Sequence, residues 1–336
     1  MYILITSFLM IWFYAIVLVS SKIRTIGTYQ LYDFDIKESN ALKGILALGI
    51  VFAHLQNFCL KPHDYPIVNQ FPVFAQVGVF FFISGYGLVA AYQKKGMDYL
   101  HGFLKHRLSK VVLPLVLAAS IYTIEKEMFF SETGGVKTDT ILPFSWFCYV
   151  IIIYYLAYYY SLRLTKSIRV TILLLLALTT ICYFIMGNYL KFGDWWYRST
   201  CGFNLGMIVK YYETQIKTQL MRFIMPIMFI VPFFLFCIYA SGHFGVGMEM
   251  QAIGFSILLL LFIYVTGFKI CNYFNWLGKY SYEIYLCHPM GIAFYALWPM
   301  HGIFGDLIYT FFLLSLTMLM AYLLKTITIK ILKVMP

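Results

Sequence analysis

Long apolar blocks separated by short polar segments recur along almost the whole chain, at residues 2–20, 43–60, 71–93, 108–124, 143–162, 168–187, 196–211, 222–240, 250–268, 280–298 and 306–324. Each is close to the ~20 residues a helix needs to cross the hydrocarbon core of a bilayer. The blocks lack the short alternating pattern of barrel strands. Backbone in lipid must satisfy its own hydrogen bonds, which a helix does within one segment. The pattern therefore predicts an all-α, polytopic transmembrane helical bundle of about 11 spans. The block at 196–211 is short and interrupted by Arg198 and Asn204. The block at 2–20 is too long for the apolar part of a signal peptide and lacks a small-residue cleavage site, so it is expected to be a retained span. No linker or repeat interrupts the series, and no polar stretch is long enough for a second folded unit.

Composition agrees with this reading. Of 336 residues, 62% are hydrophobic and only 12% charged, whereas soluble domains carry roughly 25% charged residues. The net charge of +11 is expected to reflect cytoplasmic loops, not nucleic-acid binding. If the first span runs inward, 20 of the 25 Lys and Arg residues fall in cytoplasmic segments, and only Lys61, Lys126, Lys137, Lys191 and Arg198 face outward. The N-terminus is thus expected outside and the C-terminus in the cytoplasm, in a cell membrane. The seven cysteines are scattered, with no CxxC pair and no metal-ligand spacing, and are expected to be apolar packing residues.

Ionisable residues inside spans are costly and mark functional candidates. Lys43 and His54 are eleven residues apart. In a helix that spacing leaves them about 20° apart around the axis and about 16 Å apart along it. Asn57 extends the stripe by another turn. From periodicity alone, a snorkelling lysine and a structural histidine are the slightly favoured explanation of the pair, because polar residues in spans also serve packing. Near the C-terminal end, Ser281, Tyr285 and His288 share one face of a second helix, while Glu283 lies roughly 140° round from His288. Pro289 is expected to free a backbone carbonyl and bend that helix. The segment 92–114 holds Lys94, Lys95, Lys105, His106, Arg107 and Lys110. Such a segment is ordinarily a topology determinant touching anionic lipid; its functional alternative is a site for a cytoplasmic polyphosphate. Gly202 and Gly206 form a GxxxG pair suited to close helix packing, as does Ser84-Gly85. Arg198, near the outer end of its block, is expected either to snorkel to the interface or to hold an anionic or carbonyl group at an outward cavity.

In this order, the segments resemble acyltransferase family 3, the membrane-bound sugar O-acyltransferases, over about residues 38–325. Lys43 and His54 match the Arg/Lys-x10-His signature, and "VFFFISGYGL" is similar to the FFxxSG segment. "FLKHRLSKVVLP" resembles the basic stretch before a proline, and "LGKYSYEIYLCHP" is similar to LGxxSYxxYLxHxP. Lys43 replaces the commoner Arg, which binds phosphate in a more bidentate way. The basic stretch reads Lys105-His106-Arg107 where two arginines are frequent. The resemblance implies a ten-helix acyltransferase domain at 38–336, preceded at 1–37 by an additional span and a cytoplasmic linker.

It also implies a reaction. An acyl-CoA, commonly acetyl-CoA, would bind from the cytoplasm as co-substrate, with Lys43, Lys105, Arg107 and Lys110 at its phosphates; no permanently bound cofactor is implied. A hydroxyl of an extracytoplasmic glycan or glycolipid would receive the acyl group. His54 would act as base on the acceptor or take the acyl group itself. Glu283 and His288 would orient His54 or shape the acyl channel, and Arg198 and Asn57 would face the acceptor. The rival classes are a transporter or glycolipid flippase, whose midplane ionisable residues serve transport, and a silent membrane scaffold. Release of free CoA separates an acyltransferase from both. The sequence leaves open the sugar and the choice of acetyl or succinyl.

Overall fold

A computed structural model of the protein describes residues 34–58, 73–130, 140–190, 193, 196–219, 272–297 and 302–334, with isolated positions between 253 and 264. The expected spans at 2–20 and 222–240 lie outside the described residues, as does most of 250–268. Among the described residues, every regular element is helical. Four helices among the described residues, Ala75–Leu100, Phe103–Phe129, Trp146–Thr165 and Phe304–Val334, are long and apolar enough to cross a membrane. The chain is a multi-pass helical membrane protein.

Helix α1 is Ile36–Phe58. It starts where Asp35 Oδ1 accepts the backbone N–H groups of Lys37 and Glu38, at 2.6 and 3.0 Å, a cap for donors that have no intrahelical partner. Helix α2, Val73–Lys95, continues into a short 3₁₀ segment, Gly96–Leu100. Gly96 and Gly102 take φ of 60° and 66°, values that only residues without a Cβ adopt cheaply. They turn the chain into α3, Phe103–Phe129, and leave its basic first turns beside the basic end of α2. Helices α4, Trp146–Thr165, and α5, Ile168–Phe184, follow, and α5 ends in a π-helical turn, Ile185–Tyr189.

Helix α6, Cys201–Tyr211, is shorter than the block that predicts it. Residues 196–200 form turns, in which the Thr200 hydroxyl donates to the Tyr197 carbonyl at 2.6 Å. Polar side chains thus compete with the helix for its first backbone groups, and the remaining helix rises only about 16 Å. The expected span at 280–298 is also subdivided. A short helix α7, Asn272–Gly278, precedes α8, Ser281–Ala293, which gives way to a 3₁₀ turn, Phe294–Leu297. Helix α9, Ile303–Val334, extends well beyond its expected end at 324.

Lipid removes the hydrophobic driving force between spans, so they associate through close packing and buried polar contacts. Helices α2 and α6 show the limit of close packing. A Cβ on Gly85 would sit 2.0 Å from the Phe203 carbonyl oxygen, and one on Gly206 would sit 2.0 Å from that of Phe82. Helices α1 and α7 repeat the device, since a Cβ on Gly278 would sit 1.6 Å from the Asn40 carbonyl oxygen. At the basic end, Glu213 accepts hydrogen bonds from the hydroxyls of Tyr86 and Tyr264, at 2.8 and 2.7 Å, and pairs with Lys210 and Lys217. Burial opposes ionisation there, but the hydrogen bonds hold its carboxyl below the ordinary range. The outward faces of α5 and α9 carry Leu173, Leu174, Phe304, Ile308 and Phe311, all exposed, as lipid-facing surfaces would.

Candidate active site

The close α1–α7 crossing sets the position of Lys43. Its ammonium donates to Asn40 Oδ1 at 3.3 Å, one turn back on α1 and beside the carbonyl that Gly278 admits. Eleven residues further along α1, His54 is 8% exposed and meets His288 of α8, which is fully buried. His54 Nδ1 and His288 Nε2 are 2.8 Å apart. The two rings are nearly parallel, at 6° with centroids 4.9 Å apart, and Phe144 stacks on His54 at 4.2 Å. Phe144 adopts a left-handed backbone, φ 63°, which is uncommon for a residue with a bulky side chain. Its carbonyl accepts a hydrogen bond from the Tyr285 hydroxyl, so the loop before α4 is tied to the helix that carries His288. On its other side, His288 Nδ1 lies 2.6 Å from the Tyr285 carbonyl oxygen.

A cavity of about 520 Å³ opens at the basic end of the bundle. Its lining carries five cationic side chains, Lys43, Arg107, Lys110, Lys279 and Lys325, with Glu283 among them. The rest of the lining is largely apolar and aromatic and includes Val77, Phe80, Phe147, Ile151 and Tyr155. Ile50 and Tyr285, each within one helical turn of a histidine of the pair, also line it. Arg107 is aimed by Tyr99, whose hydroxyl accepts from Nη2 and Nε at 2.7 and 3.2 Å, and it lies 6.0 Å from the Tyr155 ring centre. Lys325 lies 3.3 and 3.4 Å from the two carboxylate oxygens of Glu283, over the ring of Tyr280, and donates to the Lys279 carbonyl.

The structure brings Lys43, Arg107, Lys110 and Glu283 to one cavity, while His54 and His288 meet each other and are not among its lining residues. Glu283 is joined to Lys325 within that lining, while His288 is the residue that touches His54. Lys105 is exposed and is not among the lining residues. Arg198 is half-buried in the turn before α6, and Asn57 sits in the last turn of α1. Ser84 lines the cavity while its neighbour Gly85 packs against α6. Sequence reasoning missed Lys279, Lys325 and Phe144. The two lysines were visible only as members of the basic end, and nothing in the pattern around Phe144 distinguishes it from other apolar residues.

The helix bundle thus carries a cavity with five cationic side chains in its lining, about one helical turn from a buried histidine pair. The family model described as an acyltransferase domain matches residues 36–326. The chain belongs to that family, acyltransferase family 3, and is a membrane acyltransferase. No curated protein and no solved structure matches it.

Proposed function

We propose that the protein moves an acyl group, in the simplest case acetyl, from a cytoplasmic acyl-CoA to a hydroxyl of an extracytoplasmic or lipid-linked carbohydrate. The observation that carries this reading is the cavity, whose lining combines cationic side chains with an apolar and aromatic wall and includes Ile50 and Tyr285, about one helical turn from the His54–His288 pair. CoA offers matching chemistry: phosphates for Lys43, Arg107, Lys110 and Lys325 through charge-assisted hydrogen bonds, and a thin arm for the apolar wall. A cavity of this size is typical of small-molecule sites.

In the proposed reaction, His54 accepts the proton of the acceptor hydroxyl as its oxygen bonds to the thioester carbonyl carbon. The carbon–sulfur bond then breaks, and the sulfur leaves with the proton that His54 returns. Alcohol and thioester become ester and thiol, and the imidazole is restored. A positioned base contributes about 10²–10⁴-fold in rate. His54→Ala should therefore lose nearly all acyl transfer and release of free CoA, while its expression and detergent melting stay near the parent. Transfer by the variant at close to the parent rate would make His54 structural and end this reading. Relocation of a glycolipid without release of free CoA would assign the bundle to transport instead.

A further inference from the structure

Pro289 follows His288 directly inside α8. In a continuous α-helix the N–H of residue 289 would bond the carbonyl four residues back, that of Tyr285. Proline has no N–H to give. The carbonyl set aside in this way is the one found 2.6 Å from His288 Nδ1. A carbonyl only accepts, so His288 Nδ1 bears the hydrogen, and the lone pair of the neutral ring falls on Nε2. That lone pair is 2.8 Å from His54 Nδ1, which must then be the donor of the pair. The lone pair of a neutral His54 ring consequently falls on its Nε2.

We infer that Pro289, the Tyr285 carbonyl and His288 form a tautomer lock that makes Nε2 the basic nitrogen of His54. His288 and Pro289 are positioning residues, acting on the reaction through the ring of His54. Phe144, stacked at 4.2 Å, fixes the plane of that ring, and the hydrogen bond to His288 fixes its rotation. When His54 Nε2 takes the proton of the acceptor, the positive charge is shared along Nδ1–H to the lone pair of His288, whose Nδ1–H points at the carbonyl dipole of Tyr285. A pair of neutral groups thus does the orienting work for which other sites use a carboxylate.

The inference rests on the base role of His54, but it has a readout independent of activity. The full-length protein, labelled with ¹⁵N-histidine and held in lipid nanodiscs, reports the tautomer of each ring by NMR, with His54→Ala and His288→Ala spectra assigning the two. Both rings should carry hydrogen at Nδ1. An Nε2–H tautomer at either ring of the parent overturns the lock, whatever the activity assays show. Pro289→Ala restores an N–H that competes for the Tyr285 carbonyl. It should admit the Nε2–H tautomer at His288 and lower kcat about tenfold with an unchanged KM for acetyl-CoA, a fraction of the full contribution of a base. His288→Gln keeps an acceptor for His54 Nδ1 and should hold kcat within about tenfold of the parent, whereas His288→Ala should lose about 10²-fold or more. Pro289→Ala with parent tautomers and parent kcat would also refute the proposal. An active His54→Ala, by contrast, would remove the proposed function and leave the measured tautomers standing.

Discussion

Around the cavity, neighbouring basic residues of one helix have different surroundings. Arg107 is held by the Tyr99 hydroxyl and faces the cavity, while Lys105, two residues earlier, is exposed outside it. Two residues are about 200° of helix rotation, so a basic run on a helix cannot direct every charge to one ligand. Arg107→Gln should raise the KM for acetyl-CoA about tenfold, equivalent to about 1.4 kcal/mol. Lys105→Gln should change it by less than about threefold, since an exposed ion pair is worth only about 0–1 kcal/mol. Equal effects in steady-state kinetics would mean that charge density, and not the Tyr99-aimed guanidinium, holds the donor. The same geometry explains what the sequence made legible. The eleven-residue spacing of Lys43 and His54 needs only helical periodicity. The contact of His54 with His288 joins residues 234 apart, and Lys325 reaches Glu283 across 42; such pairings depend on how helices cross, which periodicity does not encode.

Among the elements, the crossings of α1 with α7 and of α2 with α6 do the positioning, and glycine makes both possible. Gly202 and Gly206 were readable as a packing pair because their spacing is local to one helix. Gly278 was readable only as part of a motif, because its partner is the backbone of a helix more than 200 residues away. With the Asn40 carbonyl 1.6 Å from where a Cβ would stand, Gly278→Ala must push α7 off α1. Overpacking of this kind costs about 1–3 kcal/mol, and here the displaced backbone neighbours Lys43. The variant should melt at lower temperature in detergent and bind acetyl-CoA more weakly. An alanine at Gly87, which has open space around it, is the control and should change neither. Helix boundaries were less legible than helix existence. Apolar blocks say where lipid is tolerated, but the shortening of α6 and the break between α7 and α8 are set by local hydrogen bonds and by the site those breaks help to shape.

For the whole molecule, the distribution of charge places the cavity mouth in the cytoplasm on the proposed reading. Single cysteines at Lys95 and at Lys137, in a cysteine-free background, test this with an impermeant thiol reagent on intact cells. Position 137 should label and position 95 should not; the opposite result would invert the molecule and move the donor site to the outer face. The length of α9 carries a further consequence. Residues 325–334 continue past the expected end of the span, adding about 15 Å of helix at 1.5 Å per residue. Lys325, Thr328, Ile329 and Leu332 of this extension line the cavity. On the proposed reading the doorway is built on a jetty that stands clear of the oil, and its shape is expected to be decoupled from how thick the oil is. Reconstituted in phosphatidylcholines of increasing chain length, the protein should keep a constant KM for acetyl-CoA even where mismatch alters its turnover. A cell that remodels its lipids, on warming or cooling, would then keep this enzyme's affinity for acyl-CoA unaltered, whatever happens to its turnover.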